Sequence, residues 1–221
     1  MRVSVAITIL LGLVCQINGG GQMPQAMFDE MKGAFFKFMD GNFPKAKEGI
    51  VAALKPLAAS SEKEIKLALK DAKSSAGMAS PAALVGQFVS PAGLAIGQFP
   101  GRCMEGLASF AEFYTANQEQ LKKLPPFKMG DTRAPALMDE FKKKFEGYVA
   151  ELAQVVNANF EDFLHLADAV KKEFEPVLKK SIGGRDGDFF GDLNQQWGQA
   201  VKDARADMQT KINEYKQNLI V

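Results

Sequence analysis

Apolar residues recur every three or four positions along most of the chain, with charged residues between them, and no segment alternates with the two-residue period of a strand. The pattern predicts an all-α protein. A first helix spans 24–40, with Met27, Phe28, Met31, Ala34, Phe35, Phe38 and Met39 on one face. Gly41-Asn42-Phe43-Pro44 reads as a turn. A second helix carries Ile50, Val51, Leu54 and Leu57 inward, and Pro56 should kink or end it. Ser61-Glu62-Lys63-Glu64 has the Ser-x-x-Glu form of a capping box and predicts a third start, with Ile65, Ala68, Leu69 and Ala72 facing in.

The second half is longer in period. Arg102 to Leu124 predicts a helix with Cys103, Leu107, Phe110, Ala111, Tyr114, Gln118 and Leu121 on its stripe, stopped by Pro125-Pro126. A loop over 125–134, carrying Phe127 and Met129, leads to Pro135. From there Met138, Phe141, Phe145, Tyr148, Leu152 and Val155 form a heptad seam, which slips by four at Val156–Phe160 and resumes as Phe160, Phe163, Ala167, Val170, Phe174 and Val177. Such a stutter changes supercoiling without ending a helix. One long bent helix is the preferred reading over two helices meeting at Asn157–Asn159. Pro176 and Gly183-Gly184 should end it. A last helix starts at Phe189 or Asp192, with Leu193, Trp197, Ala200, Val201, Ala204, Met208, Ile212, Tyr215 and Leu219 inward.

Between the charged helices lies one segment of a different kind. From Ser74 to Gly101 no residue is charged, and the segment nearly repeats itself: Ser80-Pro81-Ala82-Ala83-Leu84-Val85-Gly86-Gln87-Phe88, then Ser90-Pro91-Ala92-Gly93-Leu94-Ala95-Ile96-Gly97-Gln98-Phe99. Serine before proline is a helix-start signal, and Pro91 disfavours helical geometry at Ser90. Two short helices are therefore expected, roughly 81–88 and 91–98, with Pro100-Gly101 closing the second. A membrane span needs about 20 apolar residues in a row, and pieces half that length fall short. The expected architecture is an elongated antiparallel bundle of five to seven amphipathic helices, with these two Ser-Pro-capped helices in its middle.

Composition adds a compartment. Met1-Arg2, the apolar run Val3–Val14 and the small residues Gly19-Gly20 together read as a secretory signal peptide over 1–19, leaving one helical domain over 20–221. Lys and Arg total 27 against 26 acidic residues, and losing Arg2 balances them. Such a chain has no basic field to draw in nucleic acid. Cleavage would also remove Cys15, leaving Cys103 alone, either buried as a small apolar residue in a monomer or bridging two chains.

Chemistry is sparse. His165 is the one histidine, and neither it nor Cys103 lies in a catalytic or zinc motif. Asp186-Gly187-Asp188 resembles the start of a calcium loop, but Phe190 and Trp197 stand where oxygen ligands belong. No enzyme, metal or cofactor is expected. What the chain does hold is 17 Phe and 10 Met, mostly on helix stripes. Met adapts to irregular partners, and amphipathic faces that pack on each other can instead lie on lipid. The leading expectation is a secreted binder of apolar small molecules or lipid, with Phe35, Phe38, Leu84, Phe88, Leu94, Phe99, Phe110, Phe141 and Phe145 in contact with ligand. A closed cavity lined by the five of these outside the uncharged segment, or a loosely packed bundle, would mark a carrier. Alternatives are a secreted protein that binds another protein through a helix face, and a membrane-perturbing protein whose tip is 78–100. The organisation, with its near-neutral amphipathic helices and no required disulfide, resembles that of exchangeable apolipoproteins and insect apolipophorins. That resemblance implies reversible contact with lipid surfaces.

Overall fold

A computed structural model describes residues 24–122, 133–183 and 187–220. The signal segment, the Pro125-Pro126 stop and the side chains of Phe127, Met129 and Leu219 lie outside the described residues. Those described are helical almost throughout and contain no strand. The helices are α1 (Gln25–Ser75), α2 (Pro81–Gly106), α3 (Ala108–Lys122), α4 (Arg133–Ile182) and α5 (Phe189–Ile220). Only Leu107 separates α2 from α3, so the bundle has four rods rather than five to seven independent helices. At about 1.5 Å per residue, the 51 residues of α1 span roughly 75 Å.

The difference in helix number comes from prolines. Pro44, Pro56, Pro91, Pro100 and Pro176 all sit inside helices that continue through them. An interior proline removes one backbone hydrogen bond and costs about 3 kcal/mol. Here Pro44, Pro56, Pro91 and Pro176 face solvent, as do Asp40, Ala52, Gln87 and Lys172, the residues four positions earlier. Water can therefore solvate each freed carbonyl. The apolar stripe on the opposite side stays buried and outweighs the local penalty. Phe43, in the expected Gly41–Pro44 turn, is helical and buried, with its ring stacked on Tyr148 at 4.1 Å. Pro100 is buried and has no such relief.

The uncharged segment likewise forms one helix instead of two. Ser80 caps it as expected, its Oγ accepting from the Ala83 N–H at 3.3 Å with Pro81 in the first turn. Ser90 caps nothing, and neither Ser90-Pro91 nor Pro100-Gly101 stops the helix. Ser61 does not start a helix either, for α1 runs straight through it.

The long C-terminal reading holds. α4 is a single helix through Asn157–Asn159, and its buried side chains step by three and four from Leu137 to Leu178. Leu137, Val156 and Leu178 are buried where the sequence suggested Met138, Val155 and Val177, which are half-buried one position away. Gly183, at φ +56°, takes the left-handed turn that follows α4. Asp188 then caps α5, its Oδ1 accepting from the Gly191 N–H at 2.7 Å. A Cβ on Gly191 would lie 2.3 Å from Asp188 Oδ2, so any other residue there would make the capping carboxylate shift. The second aspartate of the calcium-like Asp-Gly-Asp is in fact a helix cap.

Ring and polar pairs fix the packing. α1 meets α2 and α3 antiparallel, through Ser61 with Arg102 and Phe43 with Phe110. α1 and α4 run parallel, joined by Lys32–Glu140, Lys144–Asp40 and Lys73–Glu173. α5 runs antiparallel to α4, through Trp197 with Asp168 and Arg205 with Glu161, and parallel to α2. The rods thus alternate in direction along the chain, yet two of the four seams around the bundle, α1·α4 and α2·α5, join parallel helices.

Candidate functional site

The residues expected to meet ligand fall into three groups. At one end, Phe35, Phe110, Phe141 and Phe145 are buried and pack on one another, with centroids 6.2 Å apart for Phe35–Phe141, 4.8 Å for Phe141–Phe145 and 5.8 Å for Phe110–Phe145. Phe38 is half-buried. Toward the other end Leu84 and Phe88, and nearer the middle Phe99, are fully buried. Phe88 stacks on Phe174 at 4.4 Å and lies parallel to Trp197 at 5.7 Å, so three helices contribute to one column of rings. Phe99 meets Phe163 at 4.0 Å. Leu94 alone of the nine is exposed, at 62%.

The expected closed cavity at Phe35, Phe38, Phe110, Phe141 and Phe145 is not found. Aromatic side chains fill that space themselves, and flat rings at 4–6 Å leave no room for a ligand. Two hollows occur elsewhere. One, between Leu107, Val149, Leu152, Ala153, Ile212 and Tyr215, is a crevice too narrow to admit a water molecule. The other is an open groove of about 410 Å³ along α2 and α5, floored by Gly97 and Gly101 and rimmed by Gln98, Arg102, Glu105, Asp207 and Lys211.

The outer face of α2 is the unusual surface. Ala82, Ala83, Gln87, Ser90, Pro91, Leu94, Gly97 and Gln98 are all exposed, and none is charged. Met78, in the turn before it, is 89% exposed. α2 continued into α3 is long and apolar enough to cross a membrane by length and composition, yet only 44% of its most apolar window is buried. A helix at the centre of a soluble bundle normally keeps charge on its wet face. This one does not, and the prolines thought to divide it into short pieces leave it continuous.

Sequence reading missed the one polar anchor of α2. Arg102 donates from Nη1 to Ser61 Oγ at 2.7 Å, and from Nη2 to both Glu64 carboxylate oxygens at 2.9 and 3.1 Å and to Gln98 Oε1 at 3.2 Å. Ser61 is fully buried. The apparent capping box is therefore an arginine receptor, its serine and glutamate one helical turn apart facing the next helix. The only sequence signal was Arg102 itself, the first charge after a long uncharged run.

Remaining chemistry is structural. Burial pushes the Cys103 thiol up to about 12, so it is held as an unreactive thiol, and a bridge to another chain would require opening the core. Burial raises the Asp40 carboxyl, but hydrogen bonds from Lys144 and Tyr148 and the Lys144 charge outweigh it and keep it below its ordinary 3.8. His165 is exposed. No cluster of three potential metal ligands occurs among the described residues. No family model, curated protein or solved structure matches this chain.

Proposed function

We propose that this is a secreted, non-enzymatic protein that binds apolar lipid surfaces, first through the outer face of α2 and then through its core-facing stripes. The observation that carries this reading is the wet, charge-free face of α2. It supplies apolar contact and no electrostatic attraction, so it suits neutral or zwitterionic lipid. Magnitude sets the order of events. Parting the bundle in water exposes Phe88, Phe99, Phe160, Phe163, Phe174 and Trp197, each worth about 1.5–3 kcal/mol when buried. Their total matches or exceeds the whole stability of an ordinary domain, about 5–15 kcal/mol. The core faces therefore turn outward only rarely in water, and stay outward only where lipid replaces the lost contacts. A closed carrier with an internal cavity loses support from the packed rings. A membrane-perturbing tip at 78–100 loses support from the burial of Leu84, Phe88 and Phe99.

The groove floored by Gly97 and Gly101 favours a second reading, in which a helix of another protein docks there. Flotation with phosphatidylcholine vesicles and with triglyceride emulsion separates the two. Lipid binding is expected for the wild type, unchanged by 1 M salt and by added anionic lipid, and reduced at least tenfold in Leu94→Glu. No flotation with either lipid, or flotation that needs anionic lipid and disappears in salt, would refute the lipid reading.

A further inference from the structure

The polar ties between helices are unevenly placed. Arg102 joins α2 to α1 through Ser61 and Glu64. Arg205–Glu161, Trp197–Asp168 and Lys171–Asn194 join α5 to α4. Lys32–Glu140, Lys144–Asp40, Tyr148–Asp40, Lys47–Glu151 and Lys73–Glu173 join α1 to α4. Among the described residues no side-chain hydrogen bond or ion pair joins α2 to α5 or to α4. The nearest is at the α2/α3 break, where Tyr215 Oη donates to the Leu107 carbonyl at 3.2 Å.

The surface along α5 is also indented. The open groove of about 410 Å³ separates α2 from α5 at Gly97 and Gly101. The narrow crevice, too tight for water, lies where α5 meets Leu107 and α4. Both hollows border α5. In between, the contact is close and apolar: Phe88 lies parallel to Trp197 at 5.7 Å, and a Cβ placed on Gly93 would meet the Ala200 Cβ at 3.5 Å.

We infer that the bundle opens along the α2·α5 seam, as two hairpins that stay intact and swing on the α1·α4 seam as their spine. This deepens the lipid-binding reading and rests on it for its biological use. The α1–α2 hairpin keeps its arginine clasp, the α4–α5 hairpin keeps its three ties, and the spine keeps its ion pairs. Apart from the Tyr215–Leu107 hydrogen bond, only apolar contacts part, and these are the contacts a lipid surface replaces without loss. The uncharged face of α2 borders the same seam, so the docking face and the opening line are adjacent.

The Gly93–Ala200 contact supplies the test, because 3.5 Å lies within the Cβ separation of a disulfide, about 3.5–4.5 Å. Gly93→Cys with Ala200→Cys, in the chain from residue 20 on, is oxidised and compared with Gly93→Ser with Ala200→Ser. Cys103, buried one helical turn from Phe99, is the lipid-free reporter: its labelling by N-ethylmaleimide, followed by peptide mass spectrometry, requires opening. The lock is expected to slow Cys103 labelling at least tenfold. It should also abolish flotation with phosphatidylcholine vesicles, which the serine control retains. Equal labelling and equal flotation in locked and control proteins overturns the seam, as does failure of the two cysteines to pair on oxidation. Slowed labelling with no flotation by either protein sustains the seam and refutes the lipid reading instead.

Discussion

Arg102→Met tests the packing logic most directly. The substitution keeps most of the aliphatic length of Arg102 and removes its four hydrogen bonds, to Ser61, to both oxygens of Glu64 and to Gln98. Charged hydrogen bonds contribute about 1.5–3 kcal/mol net when shielded, and exposed ion pairs about 0.2–1. Glu64 is 40% exposed and Arg102 23%, so their ion pair belongs near 1 kcal/mol. The Ser61 hydroxyl is fully buried, and losing its donor adds roughly 1 kcal/mol. The expected loss is about 2 kcal/mol, or roughly 4–8 °C in Tm for a domain of this size. Urea unfolding followed by circular dichroism at 222 nm measures it. Adding Ser61→Ala removes the orphaned hydroxyl and should return about half the loss, so the double-mutant cycle should show clear coupling. Arg102→Met within 0.5 kcal/mol of wild type, or strictly additive Ser61→Ala and Arg102→Met, would refute the arginine receptor.

Phe99→Ala should destabilise by about 3–5 kcal/mol in the same assay, because the ring is fully buried against Phe160 and Phe163. Stability should also fall as the pH drops below about 4. Asp40 and Glu161 have folded pKa values below their ordinary 3.8 and 4.5, Glu161 chiefly through the Arg205 hydrogen bond. Their contribution is complete above those values and is lost as pH falls through the folded ones. Asp40→Asn should therefore flatten part of the acid limb while changing neutral stability by less than about 1 kcal/mol; an unchanged acid limb counts against the spine. In native buffer without lipid, 5,5′-dithiobis(2-nitrobenzoate) should label Cys103 at least a hundredfold more slowly than in 6 M guanidinium, and comparable rates would contradict its burial.

Periodicity located the core well where the pattern was long. In α4, Phe141, Phe145, Tyr148, Leu152, Phe160, Phe163, Ala167, Val170 and Phe174 are buried as their spacing requires, and the stutter bends nothing into a turn. Ser80 was readable because a serine cap followed by proline is a local event. The breaks were misread because proline reports only local geometry. Whether a helix survives Pro44 or Pro91 depends on which side of the rod the proline faces, and that is decided by helices far away in sequence. The Ser61–Glu64 motif failed for the same reason: its partner is Arg102, about 40 residues on. The candidate ligand residues were correctly apolar, but their mutual contact, which closes the expected cavity, is a property of three rods together, α1, α2–α3 and α4.

The sequence distances across these seams set an order of assembly. The ties within the two hairpins span 23 to 44 residues, while those of the α1·α4 spine span about 100 or more, 108 for Tyr148 with Asp40. Closing a loop of about 100 residues rather than about 40 costs roughly 0.8 kcal/mol more in chain entropy. Each hairpin can therefore form on its own contacts before the two halves meet. The N-terminal hairpin ends by residue 122, so it can fold while the rest is still being synthesised. It would then wait with its aromatic stripe uncovered, a window in which a chaperone at the exit site has a surface to hold.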